Sequence, residues 1–379
     1  MHDDRKTLPS REVIRRFDLF LHALSHDAEA IRIPMTRPPA APVAHSQTAL
    51  ALLQESLHTP RYSCACSAID DLVSPAATSA NPAAAVAFVA GAAGDSSATA
   101  STSTGLAQAS VLELVGPPGS GKTRTALGYA LHTRFNAIAA SRDDDDDDED
   151  DESTSSTGKE VLIVGKNAEG SLLPSLIHKT ATLFAQHTGG DASDVQAALD
   201  GLHYQRITDV SLLIALLYSL PAWLEEHPKV TLLILDSLTS HLRPTSLTPQ
   251  TRTYILAQLH SLIHRLTLQH KLTIILTSAL ALKLFDPNGE PTTFGGSNKD
   301  AEALLIPQLG ESWIPVNEGV QFYRIVLYFD LEGERLTKLL AAPGPTRRTK
   351  GEFTMDALGP CDHPTSTAFD DVASQNAQM

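Results

Sequence analysis

Apolar positions along this chain follow two rhythms. Short, nearly continuous apolar runs occur at residues 111–115 (VLELV), 161–164 (VLIV), 231–235 (TLLIL) and 272–276 (LTIIL). Runs of this length, rich in Val, Ile and Leu, are the pattern of parallel strands buried on both faces. Between them lie stretches of helical period at residues 126–131, 172–185, 194–201, 210–226 and 251–269. The stretch 210–226 is apolar on nearly all sides and predicts a buried helix. Two later runs, 322–329 and 335–341, flank Leu331-Glu332-Gly333-Glu334 and read as an antiparallel pair. Strands alternating with helices predict an α/β fold: a mostly parallel sheet with helices on both faces, closed by antiparallel strands at one edge.

Outside this pattern the chain changes character. Val13, Ile14, Phe17, Phe20, Leu21 and Leu24 share one face of an amphipathic helix over residues 11–24, and 47–57 is a second helical stretch after a Pro- and Ala-rich linker at 33–46. Residues 74–110 are mostly Ala, Ser, Thr and Gly, with Asp95 the one charge, and read as an insertion that buries little. Residues 139–158 form a second insertion around the acidic run DDDDDDEDDE at 143–152, whose charges repel one another. The expected organisation is a helical N-terminal region and linker at 1–60, a core at 61–360 carrying both insertions, and a tail at 361–379.

Composition narrows the classes. The hydrophobic fraction, 42%, is enough for one sizeable core. No apolar run approaches the length of a membrane span, and MHDDRKTLPS lacks a signal-peptide core. Three cysteines, Cys64, Cys66 and Cys361, make neither a disulfide framework nor a four-ligand zinc site. The formal charge is −15, and removing the ten acidic residues of the run leaves −5. The remainder is therefore mildly acidic, which does not advertise nucleic-acid binding and leaves room for a local basic groove.

The densest chemistry lies just past the first strand. Gly116-Pro117-Pro118-Gly119-Ser120-Gly121-Lys122-Thr123 fits the P-loop pattern in full, with Arg124 next and a helix after it. Glycines remove side chains where backbone must turn and approach an anion, and N–H groups at the helix start face phosphates. Lys122 supplies a point charge for the β/γ-phosphates, and the Thr123 hydroxyl is the expected Mg²⁺ ligand. The cofactors expected are therefore ATP and Mg²⁺. Asp236 ends the strand TLLIL, where a carboxylate either reaches the same Mg²⁺ shell or caps the next turn. Glu169, just past VLIV, is the candidate for orienting an attacking water; a solvated loop carboxylate is the alternative. Thr277, after LTIIL, either approaches the γ-phosphate or is a buried strand end. The fifteen histidines show no metal-ligand spacing.

The order P-loop, Glu169-Gly170-xxx-Pro174, LDS at 235–237, LTS at 276–278 and PQLGESW at 307–313 resembles the RecA-type core of eukaryotic strand-exchange recombinases. It is most similar to their paralogues, and closest to paralogue C. His203-Tyr204-Gln205-Arg206 and residues 216–229 resemble that paralogue's own middle segment. The resemblance runs over about residues 67–355 apart from the insertions. It implies a RecA-like P-loop ATPase, with Lys122 and Glu169 catalytic, that resides in the nucleus. It also implies assembly with other paralogues and the strand-exchange recombinase, supporting a filament on single-stranded DNA during homologous recombination and double-strand break repair. Glu169 sits about two residues further from its strand than the family pattern has it. Ser278 and Ala279 stand where the family usually has Asn and Gln, the Gln being thought to sense the γ-phosphate and link it to a DNA loop.

Two loops would face that DNA, at about 243–252 and 283–299. Arg243, Arg252, Lys283 and Lys299 would contact phosphates and Phe294 would stack on a base, although cations in solvent loops are the plainer reading. Two alternatives differ in class: a scaffold that binds ATP and hardly turns it over, and a small-molecule P-loop kinase. No membrane partner is expected. Deleting residues 143–152 removes no core residue, so the melting temperature should stay within about 3 °C of the full chain's, a shift that corresponds to about 1 kcal/mol for a domain of this size. Differential scanning calorimetry checks this, and a larger drop would make the run structural.

Overall fold

The computed structural model describes residues 60–75, 104–143, 159–165, 173–242, 247–286, 291–292, 302–310, 313 and 319–362. The N-terminal helices expected at 11–24 and 47–57, the linker between them, and most of both insertions lie outside these residues.

The first described elements are strand β1 (Arg61–Tyr62) and the short helix α1 (Ser67–Asp70). Strands β2 (Leu106–Ala107) and β3 (Ser110–Gly116) come next, then helix α2 (Lys122–Asp143) and β4 (Glu160–Gly165). Helices α3 (Leu173–Thr188) and α4 (Ala192–Asp200) precede β5 (Leu202–Arg206), and α5 (Val210–Glu226) precedes β6 (Val230–Asp236). Helices α6 (Leu238–His241) and α7 (Pro249–His270) lead to β7 (Thr273–Phe285), β8 (Pro291–Thr292) and β9 (Glu302–Pro307). Four strands end the fold: β10 (Gln321–Phe329), β11 (Arg335–Ala341), β12 (Lys350–Met355) and β13 (Pro360–Asp362).

The main sheet runs β13-β12-β11-β10-β3-β7-β6-β4-β5. From β10 to β5 every pairing is parallel, and β11, β12 and β13 add antiparallel strands at one edge. This is the predicted α/β architecture. Alternate residues of each strand enter opposite cores, as the pleat requires. Val111, Leu162, Leu233, Leu235, Ile274 and Leu276 meet α5 and α7 on one face. Leu112, Leu114, Ile163, Leu232, Ile234 and Ile275 meet α1 and α2 on the other. Strand β3 is buried at every position, and so bears packing on both sides.

Local signals place the helix starts. Asp191 and Asp194 form a reciprocal capping box at α4, Asp209 accepts the Ser211 and Leu212 N–H groups at α5, and Thr248 caps α7 ahead of Pro249. Arg134 of α2, almost fully buried, donates to the Ala197 and Ala198 carbonyls near the end of α4 and to Lys159 O. One side chain thus ties three elements through carbonyls that would otherwise lack donors.

Three boundaries differ from the sequence reading. Leu106 and Ala107, within the low-complexity stretch, form β2, are buried and pair with β1. Helix α2 continues to Asp143, into the second insertion. Cys361 and Asp362, assigned to the tail, lie in β13, and Asp362 accepts the Ser67 hydroxyl and the Ala68 N–H at the start of α1. In each case long-range partners order residues whose composition carries no signal.

The segment before the first insertion is anchored through Asp70. Its carboxylate, 3% exposed, accepts Ser63 Oγ, Cys64 N and Tyr129 Oη, and its carbonyl takes the Ser74 hydroxyl. Ser74 Oγ in turn accepts Gly105 N at 2.7 Å, so residues on either side of the insertion meet at one point. Burial lifts the Asp70 carboxyl from an ordinary 3.8 to about 6, against the pull of those donors. The folded chain then holds this proton more tightly than the unfolded chain between those values. The carboxyl's contribution to stability is greatest below the lower value and declines as pH rises through about 6. Relative to a non-titrating Asp70→Asn chain, the wild type should gain about 2 kcal/mol between pH 7 and pH 4. Urea denaturation of both chains across that range measures it.

Candidate nucleotide-binding site

Helix α2 begins at the C-terminal ends of β3 and β6 and beside residues 277–279 in the middle of β7, the side on which ligands bind in open parallel sheets. The loop 116–123 curls over a cavity of about 610 Å³ that Ser237, Thr239, Thr277 and Ala279 close from β6, α6 and β7, with Leu305 of β9 at its side. Gly116 permits close approach: a Cβ there would collide with Leu327 O and Ser120 Oγ. Gly121 has φ +102°, the left-handed region, with the Met355 methyl against it.

Thr123 and Asp236 are brought together. Thr123 Oγ1 lies 3.0 and 3.1 Å from the two carboxylate oxygens of Asp236. Thr277 Oγ1 donates to Asp236 Oδ1 at 2.7 Å and accepts the Ser237 N–H at 2.5 Å. Ser237 holds a left-handed conformation, φ +61°, an uncommon state for a residue with a Cβ. One carboxylate therefore organises two hydroxyls and a strained turn. Lys122 Nζ donates to Gly116 O at 2.9 Å and Pro117 O at 2.8 Å, folding back over its own loop. Burial lowers the Lys122 pKa, and the Asp236 charge works against that.

These residues fit a phosphate chain with a divalent cation. Ser120 Oγ in the loop and Thr125 Oγ1 in α2 are buried without a hydrogen-bond partner among the described residues, but neither residue lines the cavity, so the fit rests on Lys122, Thr123 and Asp236. The Lys122 ammonium is paired with neutral carbonyls that a phosphate oxygen outcompetes as an acceptor. Thr123 and Asp236 offer oxygen ligands of the kind Mg²⁺ takes. Arg124 lines the cavity and donates to Asp356 O at 2.6 Å in the turn after β12.

The other predicted residues divide. Lys283, expected in a loop, lies on β7, which runs on to Phe285 and pairs antiparallel with β9, Lys283 opposite Leu304. The sequence pattern ends this strand near Leu276, because residues 277–285 mix apolar, polar and charged side chains and the partner strand is distant in sequence. Arg252 sits in the first turn of α7 rather than in a loop. Glu169, Arg243, Phe294 and Lys299 lie outside the described residues.

Sequence reasoning missed Glu113 and Arg324. Both are buried to 2% exposure or less, on adjacent strands β3 and β10 and directly opposite in register. Arg324 Nε donates to Glu113 Oε2 at 2.6 Å and Ser278 Oγ to Glu113 Oε1 at 2.5 Å, while Arg324 Nη2 reaches Gly310 O at 2.9 Å. Burial pushes the Glu113 carboxyl up, with Arg324 and Ser278 opposing. A charge inside each of two apolar runs, VLELV and FYRIVLYF, was the available signal. The Ser278 hydroxyl is thereby committed to Glu113. Ala279 engages only through its backbone, accepting Gln308 N at 3.0 Å and donating to Thr239 Oγ1 at 3.1 Å. Removing one charge of the pair strands the other, so Glu113→Gln should cost about 3–5 kcal/mol in guanidinium unfolding. The double change Glu113→Leu with Arg324→Met should cost clearly less, because it strands no charge.

Sequence comparison adds relatives. The chain is 29% identical over 219 residues to a DNA repair protein RAD51 homolog 3 from Cricetulus griseus, covering 53% of this chain and 50% of that protein. It is 26% identical over 149 residues to a DNA repair protein RAD51 homolog 3 from Dictyostelium discoideum, covering 39% of this chain and 35% of that protein. The chain thus spans half or less of the length of these curated relatives. No protein-family model matches it. The resemblance to recombinase paralogue C seen in the motifs extends to sequence similarity across much of the core.

Proposed function

We propose that this chain is an ATP-binding recombinase paralogue, acting in DNA repair and homologous recombination by assisting a strand-exchange filament on single-stranded DNA. The observation that carries the reading is the meeting of Thr123 with Asp236 beside Lys122, at the strand ends where a nucleotide would lie. Similarity to two proteins named as DNA repair RAD51 homologues supports the biological setting. Its natural partners on this reading are other recombinase paralogues and the strand-exchange recombinase, in a hetero-oligomer in the nucleus.

The chain's own residues divide the work. The loop 116–123 binds the phosphates through backbone N–H groups, and Lys122 turns from its two carbonyl partners to the β/γ-phosphates. Thr123 and Asp236 hold Mg²⁺, which when bound supplies positive charge that stabilises the phosphates in transfer. Thr277 keeps the Asp236 carboxylate oriented through its 2.7 Å bond. Glu169 orients the attacking water. Arg243, Arg252, Lys283 and Lys299 contribute phosphate contacts to DNA and Phe294 a stacking face.

A second reading has a specific observation in its favour. Ser278 is committed to Glu113 and Ala279 has no polar side chain, so next to Thr277 strand β7 offers a γ-phosphate no side-chain amide donor. The chain would then bind ATP to fix its shape within a paralogue assembly and turn it over little. Single-turnover hydrolysis with and without single-stranded DNA separates the two. Under the first reading, Glu169→Gln should bind ATP normally and hydrolyse it ~10²-fold more slowly, the scale of a lost general base. Under the second, wild type and variant should share a near-background rate. Lys122→Ala should lose most nucleotide affinity under either, and unchanged affinity would sink the P-loop assignment.

A further inference from the structure

Away from the nucleotide site, a second cavity, of about 230 Å³, opens between β1, the C-terminal half of α2 and the start of β4. Arg61, His132, Asn136 and Lys159 line it. His132 and Asn136 lie one helical turn apart, with Ala137 and Ala140 leaving the space that larger side chains would fill. Lys159 Nζ sits 5.4 Å from the centroid of the buried Tyr62 ring, and Tyr62 itself is fixed by its hydroxyl on Thr231 O. Arg61 spends one N–H on Gly105 O, leaving the rest of its fork available.

Among the described residues no carboxylate lines the cavity or pairs with these cations. Burial lowers the pKa of Arg61, His132 and Lys159 alike. Arg61 also faces the Tyr323 hydroxyl and a further cation, Arg347. Other cations meet carboxylates, Arg324 with Glu113 and Arg347 and Arg348 with Asp71, while Arg134 and Lys122 are held by backbone carbonyls. Half-buried cations without a counter-charge are unfavourable unless an anion completes them.

We propose that this cavity binds a phosphate group. Two cations and the His132–Asn136 pair, joined by a 3.0 Å hydrogen bond between Asn136 Nδ2 and His132 Nδ1, converge from three elements. That donor set suits an oxyanion with three or four oxygens better than a two-oxygen carboxylate. The phosphate comes either free in solution or from a nucleic-acid backbone, with the same chemistry in each. The site is separate from the P-loop and does not depend on which ligand the P-loop binds.

Lysine acetylation read by mass spectrometry tests this on the full chain. Lys159 and Lys122 are followed in the same digest, with inorganic phosphate, a short oligodeoxynucleotide, or sodium chloride of matched ionic strength. Protection of Lys159 should rise about threefold once the ligand reaches roughly twice its dissociation constant, and chloride should give none of it. Protection by inorganic phosphate identifies a free-phosphate site, and protection by the oligodeoxynucleotide alone identifies a backbone contact; either supports the proposal. Arg61→Gln should abolish the protection. Because Arg61 also holds Gly105, Asn136→Asp at an exposed position provides a second variant, which should abolish it by adding negative charge. Equal Lys159 modification under phosphate, oligodeoxynucleotide and chloride would overturn the proposal, even with Lys122 protected. So would a Lys159 that no probe protects and that becomes reactive only when residues 144–152 are deleted, since carboxylates of this chain would then be its partners.

Discussion

The carboxylate of Glu113 is the constraint around which the centre of the sheet is arranged. It sits within an otherwise apolar strand, fully out of water, and in that position a charge must be met by a counter-charge and by hydrogen bonds. Arg324 supplies the first from β10 and Ser278 the second from β7. The three central strands are thus joined by side chains as well as by their ladders, three residues before the P-loop begins at Gly116. Arg324 then extends the connection to Gly310, beyond β9. A slip of one residue in any of these strands would turn a charged partner to the opposite face, so the cluster fixes register where the loop's geometry is most sensitive to it.

The candidate nucleotide site inherits this order and adds its own. Before any ligand is considered, most of its polar side chains are already engaged: Lys122 on loop carbonyls, and Thr123 and Thr277 on Asp236. The Thr123–Asp236–Thr277 group is preorganised by its internal bonds, whereas Lys122 has to leave its carbonyl partners to meet a phosphate. This internal bonding also sets a threshold. A ligand gains only the difference between its own bonds and those it replaces, which favours a highly charged group over a neutral one.

The sequence revealed the features that short-range physics controls. Apolar runs located the parallel strands, periodicity located α3, α5 and α7, and the spacing 116–123 located the loop, because each signal is carried by neighbours in the chain. The features that escaped reading depend on partners far away. Residues 283–285 read as the start of a loop because Lys283 and its neighbours do not look like a core strand. They are ordered by β9, and Leu282, Leu304 and Leu305 stay exposed. Leu106 lies in a stretch whose composition suggests nothing buried, yet it closes the core beside Tyr62. Glu113 and Arg324 were each visible as an odd charge, but their pairing spans 211 residues and emerges only from strand order.

The two proposed functions differ physically next to Thr277 on β7. In both, phosphate binding rests on the P-loop and on Asp236, which the fold holds through several independent bonds. Hydrolysis asks for more: polar groups placed at the γ-phosphate when charge develops there, since only interactions that strengthen in the transition state accelerate the step. This part of β7 is well placed to supply one, but the Ser278 hydroxyl is drawn into the sheet by Glu113, and Ala279 offers only its backbone, already bonded to Gln308 and Thr239. The same buried carboxylate that fixes the central strands therefore holds the side-chain hydroxyl that follows Thr277 on this strand. Fast turnover would then have to draw its transition-state stabilisation from Lys122, the bound cation and Glu169, whereas tight binding needs no contribution from β7 beyond Thr277. Stability of the sheet and polarity of the site compete for one hydroxyl, and in this chain the sheet holds it.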